Sequence, residues 1–301
     1  MLLADIIRLG QPLVDSNMSI AERIQLLTDV GKEEVKNFYG NVFIVELNGE
    51  KTFFYYRKYQ DVENGPVQLD AALAMPITLP SGGNPLNAQG IYPIPSYPLY
   101  EAHINDFHDR EKTFQMVYTR FLRTLHYRDM DIEQLERKVT LVTNCLTQEG
   151  IRHVIPEKQL GVLFIIDHAL PFFSIKRTDN HLPLKLEGVR EGQLYIDAEQ
   201  VIAHVIEARF QEAKELGTAK DSISTISNEP SEEVVSAYNK SWLWLSPTWD
   251  APKSIYWKDD EWIKGIRLNR TEYRAFFYGT QFLKQVQTPI RGAILKEMFA
   301  P

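Results

Sequence analysis

Histidines and carboxylates gather between Glu101 and Asp109, in the stretch EAHINDFHD. A His-Asp pair on a helix is the core of one type of phosphohydrolase, in which both side chains bind a divalent metal. Such a site needs a second histidine upstream and an aspartate well downstream. The only histidine before His108 is His103, and Asp167-His168 lies between two predicted strands. Metal-dependent hydrolysis therefore remains an alternative, against the interpretation that these are solvated polar residues around a helix start.

Other catalytic signatures do not occur in the sequence. There is no Gly-Lys-Ser or Gly-Lys-Thr phosphate loop, no Gly-x-Gly-x-x-Gly after a strand and no Gly-x-Ser-x-Gly elbow. The one cysteine, Cys145, excludes an internal disulfide and a cysteine-based zinc site, and its place in a predicted helix favours a buried structural thiol. We therefore predict a binding protein rather than an enzyme, with no metal and no cofactor.

The stretch from Met75 to Tyr100 holds six prolines and three glycines, and no charged residue occurs from Ala71 to Tyr100. Prolines exclude a helix interior or a central strand. A disordered linker normally lacks the bulky apolar residues that this segment contains. We predict a long loop that docks on this protein or on a partner. Its Gly-rich tip can approach a ligand closely, and the asparagines supply donors and acceptors. The candidate ligand-contacting residues are Ser81, Gly82, Gly83, Asn84 and Asn87. The alternative is an extended arm that covers a sheet edge.

Basic residues are concentrated in two stretches, although the net charge is −7. Five basic residues and one acid lie between Arg110 and Arg128, and seven basic residues and one acid lie between Ile263 and Lys296. Cationic side chains at helical spacing can follow phosphates, and ordinary helix surface charge is the alternative. The residues that we predict to contact a nucleic-acid backbone are Arg57, Lys58, Lys112, Arg120, Arg123, Arg128, Arg267, Arg270, Arg274 and Lys284.

The elements that must position these residues can be predicted from periodicity and capping. Asn48-Gly49 between two apolar runs predicts a β-hairpin over 41–59. Predicted helices cover 1–9, 19–38, a stretch from Asp106 or Asp109 to 128, 131–150, 198–216 and a stretch beginning at Asn269 or Thr271. Predicted strands cover 160–166, 170–176 and 192–196.

These elements predict an α+β fold. Residues 1–217 form an N-terminal domain with an antiparallel hairpin or sheet, packed helices and the loop 75–100. The polar stretch 218–231 is predicted to be a linker, and 232–301 a smaller, mainly helical segment that is basic and contains every tryptophan. The longest aliphatic-aromatic run, Val162–Ile166, is too short to span a membrane. Because Asp5 and Arg8 interrupt the apolar N-terminus, we predict no signal peptide and a cytoplasmic protein.

Three stretches carry a family resemblance: MLLADIIRLG at the N-terminus, the hairpin GNVFIVELNGEKTFFYYRKY and the strand block QLGVLFIIDHALPFFSI. In these the chain resembles the large subunit of the type I-B CRISPR effector complex. The resemblance implies a non-catalytic subunit at the foot of the assembly, whose partners are guide RNA, target double-stranded DNA and the backbone and 5′-end subunits. It also implies recognition of the duplex motif beside the target, while base pairing performs the sequence search.

The resemblance further implies that a glycine-rich loop reads the flanking duplex, and Ser81, Gly82, Gly83 and Asn84 match that description in kind. The sequence differs from the family in two respects. Many members hold a cysteine-rich zinc element, which one cysteine cannot form, and only the segment after Ser231 is left to supply their C-terminal helical bundle. These differences suit a complex with a separate small subunit, or a transposon-encoded complex with a transposition adaptor. A cytosolic scaffold that uses the loop as a protein-docking arm is the other alternative.

Overall fold

A computed structural model describes residues 2–28, 30, 37–58, 90–148, 160–174, 181–184, 194–237 and 263–287. The regular elements of these residues, in chain order, are α1 (Leu2–Val14), α2 (Ile20–Leu27), β1 (Asn41–Asn48), β2 (Lys51–Lys58), β3 (Ser96–Leu99), α3 (Glu101–Asp106), α4 (Arg110–Leu122), α5 (Ile132–Thr147), β4 (Gly161–Asp167), β5 (Phe173–Ser174), β6 (His181–Leu184), β7 (Leu194–Asp197), α6 (Ala198–Glu215), β8 (Thr218–Ile223), β9 (Pro230–Ser236), β10 (Arg267–Asn269) and α7 (Arg270–Gln287). The fold is α+β, as predicted.

Helix starts follow the predicted caps. Asp109 Oδ1 accepts hydrogen bonds from the backbone N–H groups of Glu111 and Lys112, at 3.0 and 3.1 Å. Asp131 caps α5 and Asp197 caps α6 in the same way. These carboxylates satisfy N–H groups that have no partner within the helix, which is why the sequence marks the boundaries well.

The chain divides into two compact units, 28–205 and a discontinuous unit of 1–27 with 206–301. The first unit contains a four-stranded sheet in the order β2-β1-β4-β3. β1 and β2 form the predicted hairpin, with Gly49 at φ 61° in its turn. β4 pairs parallel with β1 and antiparallel with β3. Side chains such as Phe43, Val139 and Phe164 are almost fully buried in this unit.

The discontinuous unit joins the two ends of the chain. Its three-stranded sheet has the order β10-β9-β8, and α1 packs along α7. Its core cluster is formed by residues from 3 to 7 together with residues from 210 to 276. A short β5-β7-β6 sheet belongs to the other unit.

Several predictions of element boundaries and domains are wrong. The predicted linker 218–231 lies in the β8–β9 pair, because backbone hydrogen bonds form an antiparallel ladder there despite its polar side chains. The two compact units consequently do not follow the predicted division at 217 and 232. Helix α2 ends at Leu27 rather than continuing to Phe38, which lies in a single 3₁₀ turn over Asn37–Gly40.

Candidate functional site

The predicted ligand-contacting tip of the proline loop lies outside the described residues, so Ser81, Gly82, Gly83, Asn84 and Asn87 stay a prediction. The prediction of a loop up to residue 100 is wrong for its last part, because β3 pairs with β4 at the edge of the sheet, as the alternative of an arm on a sheet edge predicted. Arg57 and Lys58 lie at the end of β2, where their backbones pair with Val42 and Asn41 of β1. The side chains of Arg57 and Lys58 lie outside the described part of the structure.

Arg120 is the largest departure from the predicted cationic track on α4. Its side chain is buried, with 4% relative exposure, and its guanidinium lies over the Tyr92 and Tyr97 rings. The sequence prediction placed it on the helix surface beside Arg123, three positions on. The prediction of a surface track is therefore wrong for Arg120. The two rings stabilise its buried guanidinium, and its aliphatic side-chain carbons pack within the unit.

The other predicted basic residues of this unit are closer to solvent. Lys112 is exposed in the first turn of α4, and its Nζ lies 3.1 Å from Asp106 Oδ1. Arg123 and Arg128 are half-buried at the end of α4 and beyond it. The structure therefore does not form one continuous basic face from Lys112, Arg120, Arg123 and Arg128.

The discontinuous unit presents a cationic face at the start of α7, formed by Arg270 and Arg274. Both residues are exposed, and four-residue spacing puts them on the same side of the helix. Arg274 makes no hydrogen bond or ion pair with the described residues. Lys264, also exposed, precedes the short strand β10 that leads into this helix. We call Arg270 and Arg274 the α7 cationic face.

Arg270 is positioned by two contacts. Its guanidinium carbon lies 4.1 Å from the centroid of the Phe210 ring, and its Nη1 donates to Glu207 Oε2. Partial burial acts to raise the pKa of Glu207, but hydrogen bonds from Arg270 and Gln211 outweigh it and hold this pKa below its ordinary value. Arg270 is thus partly neutralised within the unit, and Arg274 carries the unbalanced charge of the face.

The remaining predicted residues of this unit differ in exposure. Arg267, on β10, is half-buried and its Nη1 donates to Ser222 Oγ at 3.2 Å. Lys284 is half-buried in the last turns of α7. Neither belongs to the exposed face at the start of the helix.

The histidine-carboxylate stretch of the hydrolase alternative forms α3 and the turn after it. His103 Nδ1 accepts from the Tyr100 backbone N–H at 3.2 Å, and Asp106 pairs with Lys112. Within the described ranges, no group of three or more His, Cys, Asp or Glu side chains is placed to hold a metal ion. His103 therefore caps its own helix instead of pointing to a metal with His108.

Two buried polar networks lie at the carboxyl ends of the parallel strands β1 and β4. Glu46, with 0% exposure, has Oε2 2.7 Å from the Tyr55 hydroxyl and Oε1 2.6 Å from His168 Nε2. Asp167 Oδ2 accepts from Lys138 Nζ at 2.6 Å and from the Tyr127 hydroxyl at 2.8 Å. Carboxyl ends of parallel strands are common ligand sites, but the contacts here are to neighbouring side chains.

Sequence reasoning missed most members of these networks. The available signal was the lone carboxylate Glu46 in the apolar strand NVFIVELN, since a single buried charge needs partners.

Burial, together with the nearby Asp167 carboxylate, raises the pKa of Tyr127 well above its ordinary value. Burial also raises the pKa of Cys145, opposed by a hydrogen bond with Thr52, which agrees with a structural thiol.

No helix of the described ranges has the length and apolar character needed to cross a membrane. None of the protein-family models, curated proteins or solved structures compared with the chain matches it.

Proposed function

We propose that the chain is a non-catalytic, nucleic-acid-binding subunit of an RNA-guided DNA-targeting complex of the type I-B CRISPR effector kind. The observation that carries the proposal is the α7 cationic face, where two arginines lie exposed on one side of a helix. Arg274 is available to a phosphate, since no acid of the described chain pairs with it. Arginines in this arrangement bind phosphate oxygens and release counterions from the nucleic acid.

The family resemblance supports the finer part of the proposal. In this proposal the partners are guide RNA, target double-stranded DNA and the backbone and 5′-end subunits. A separate small subunit or a transposition adaptor completes the complex, which acts in the cytoplasm. In it, the uncharged tip at 81–84 contacts the duplex beside the target, where bare backbone and amides can read a narrow groove.

Salt-dependent binding tests the role of the α7 cationic face. Binding of a short RNA and a short DNA duplex is measured for the wild-type chain and for Arg270→Ala/Arg274→Ala over a range of salt concentrations. Each lost phosphate contact lowers the slope of log affinity against log salt by about 0.9 on B-DNA, so the double variant should lose up to roughly 1.8.

Arg8→Ala is the matched control, since Arg8 is exposed on α1 of the same unit and forms an ion pair with Asp5, one turn earlier. Its removal should change neither the slope nor the affinity at moderate salt. Equal slopes for the double variant and the wild type would contradict the role of the α7 cationic face. Purification of the native assembly without any guide RNA would contradict the wider proposal.

Replacement of the loop tip tests motif recognition separately. In Gly82→Ala/Gly83→Ala/Asn84→Ala, we expect discrimination between duplexes with and without the flanking motif to disappear, while salt-dependent backbone binding stays. Loss of a protein partner with unchanged nucleic-acid affinity would instead indicate the scaffold function.

A further inference from the structure

Arg120 carries a buried positive charge that contacts two aromatic rings. Its guanidinium carbon lies 3.7 Å from the centroid of the Tyr92 ring and 4.5 Å from that of the Tyr97 ring. Cation–π contacts of this kind stabilise the positive charge. The N–H groups of arginine point outward within that plane, so a hydrogen-bond acceptor must approach from the edge.

Backbone pairing fixes both rings in place. The Tyr92 N–H donates to the Arg123 carbonyl at 2.7 Å, and the Tyr92 carbonyl accepts from the Leu125 N–H at 2.9 Å. Tyr97 lies in β3, opposite Leu163 of β4. The two rings therefore belong to separate, hydrogen-bonded segments that hold the guanidinium between them.

The acceptors that a buried guanidinium needs are incomplete. Arg120 Nε and Nη1 are buried without a hydrogen-bond partner, although the side chain does interact with Tyr97. Asp106 is close enough to act electrostatically on Tyr97 and His103, but it forms its ion pair with Lys112. Buried polar groups nearly always have partners, and an unpaired buried charge is strongly unfavourable.

A second donor, His103, contacts the Tyr97 ring and is close enough to Arg120 to interact with it electrostatically. His103 packs edge-on against Tyr97, with ring centroids 5.2 Å apart, and its Nδ1 accepts from the Tyr100 N–H. The proton of the neutral imidazole is therefore on Nε2, which makes this atom a donor. His103 and Asp106 are half-buried, so the cluster reaches the surface through them.

We propose that Arg120, Tyr92, Tyr97 and His103 form a binding site for a small phosphate-type oxyanion, either inorganic phosphate or the phosphate group of a small monoester. Two donor atoms of a charged guanidinium lack an acceptor here, and a tetrahedral oxyanion supplies acceptor oxygens in several directions. With 4% relative exposure, Arg120 is closed to a polynucleotide backbone, so the ligand must be small. The site is thus distinct from the proposed nucleic-acid function of the α7 cationic face and does not depend on it.

Two readouts test the site on the full chain, with inorganic phosphate and glycerol phosphate as probes. The imidazole signals of His103 are followed by NMR at constant ionic strength, with chloride as the reference anion. We expect a saturable shift with one or both probes. Arg120→Met should weaken the apparent affinity at least tenfold, whereas Arg137→Met, which removes an exposed arginine of α5 in the same unit, should leave it unchanged.

Thermal unfolding in phosphate and in chloride provides the second readout. Phosphate stabilises proteins in general, so only the difference between Arg120→Met and Arg137→Met is informative. We expect the Arg120→Met chain to lose the additional stabilisation. If Arg120→Met does not fold, the wild-type His103 titration still decides. An unchanged His103 signal, or an equal shift with a single-stranded oligonucleotide lacking terminal phosphates, would overturn the proposal.

Discussion

At the scale of single residues, Glu272 shows how one buried acid connects three segments. Its Oε1 accepts from the Ser227 N–H at 3.0 Å, and its Oε2 accepts from the Asn269 N–H at 3.0 Å and from the Ser224 hydroxyl. Asn269 Oδ1 in turn accepts from the Glu272 N–H, which completes a reciprocal cap at the start of α7. Glu272 lies in a basic segment that the sequence suggests is exposed, but it is buried and its hydrogen bonds hold these segments together.

His103 gives the residue-scale prediction. Burial lowers the pKa of His103, an effect that Asp106 opposes and Arg120 reinforces. In the unfolded chain, His103 has its ordinary pKa of about 6.5. Near and below that pH, the unfolded chain therefore binds this proton more readily than the folded chain. The contribution of His103 to stability is complete above that pH and is lost as the pH falls toward the folded-state pKa. Protonation of Nδ1 also removes the hydrogen bond from Tyr100.

Urea unfolding between pH 7.5 and 5 measures this effect, with the pKa read from the NMR titration of the ring. His103→Gln, which keeps an acceptor but cannot titrate, should reduce the loss of stability on acidification. His108→Gln, in the exposed turn after α3, is the matched control and should leave the His103 titration unchanged. A pKa of His103 at or above 6.5 would contradict the argument.

At the scale of elements, local signals were sufficient where one residue determines a boundary. Asn48-Gly49 predicted the hairpin because a tight turn needs positive φ, and Gly49 has it. Asp109 and Asp197 predicted helix starts because a carboxylate satisfies free N–H groups. The β8–β9 pair could not be predicted in this way, since its side chains do not alternate between apolar and polar. Asn228, at φ 63°, was a turn signal inside the supposed linker.

The same limit applies to the candidate site. Helical spacing placed Arg120 and Arg123 on one face of α4. It could not predict that Tyr92 and Tyr97, from another segment, pack against Arg120. The exposed positions of Arg270 and Arg274 agree with the predicted cationic helix surface. Charge and spacing therefore predicted the exposed cationic positions on α7, whereas the burial of Arg120 depended on the packing of segments distant in sequence.

The helix pair α1–α7 gives the element-scale prediction. A Cβ added at Gly10 would lie 1.8 Å from the Ala275 carbonyl oxygen, and one added at Gly279 would lie 2.2 Å from the Ile6 carbonyl oxygen. Both contacts are with backbone, which cannot move aside like a flexible side chain. We expect Gly10→Ala and Gly279→Ala each to lower the free energy of unfolding by about 2–3 kcal/mol, through overpacking.

Chemical denaturation followed by the far-UV CD signal measures the change. Gln11→Ala, next to Gly10 and exposed, is the control and should stay within about 0.5 kcal/mol of the wild type. Stabilisation by Gly10→Ala, through the higher helix propensity of alanine, would show that α1 and α7 do not approach this closely.

At the scale of the whole molecule, pairing between distant segments organises the chain. β1 and β4 are parallel neighbours although more than a hundred residues separate them, and α1 packs with α7 at the opposite end of the sequence. Such contacts have no local signature, which is why the predicted division into N- and C-terminal domains failed. In the structure, residues 1–27 belong to the same compact unit as residues 206–301.

The discontinuous unit leads to a whole-molecule prediction. Ile6, with 2% exposure, belongs to the same core cluster as Phe210 and Phe276. Ile6→Asp would place an uncompensated charge in that cluster, and we expect it to destabilise this unit by about 3 kcal/mol or more. Hydrogen exchange should then speed up in β9 and α7, more than 200 residues away in sequence, before it speeds up in β1 and β4. Asp5→Asn, one residue earlier and exposed, should leave exchange unchanged. Faster exchange confined to α1, with β9 and α7 still protected, would mean that the N-terminal helix is not part of their core.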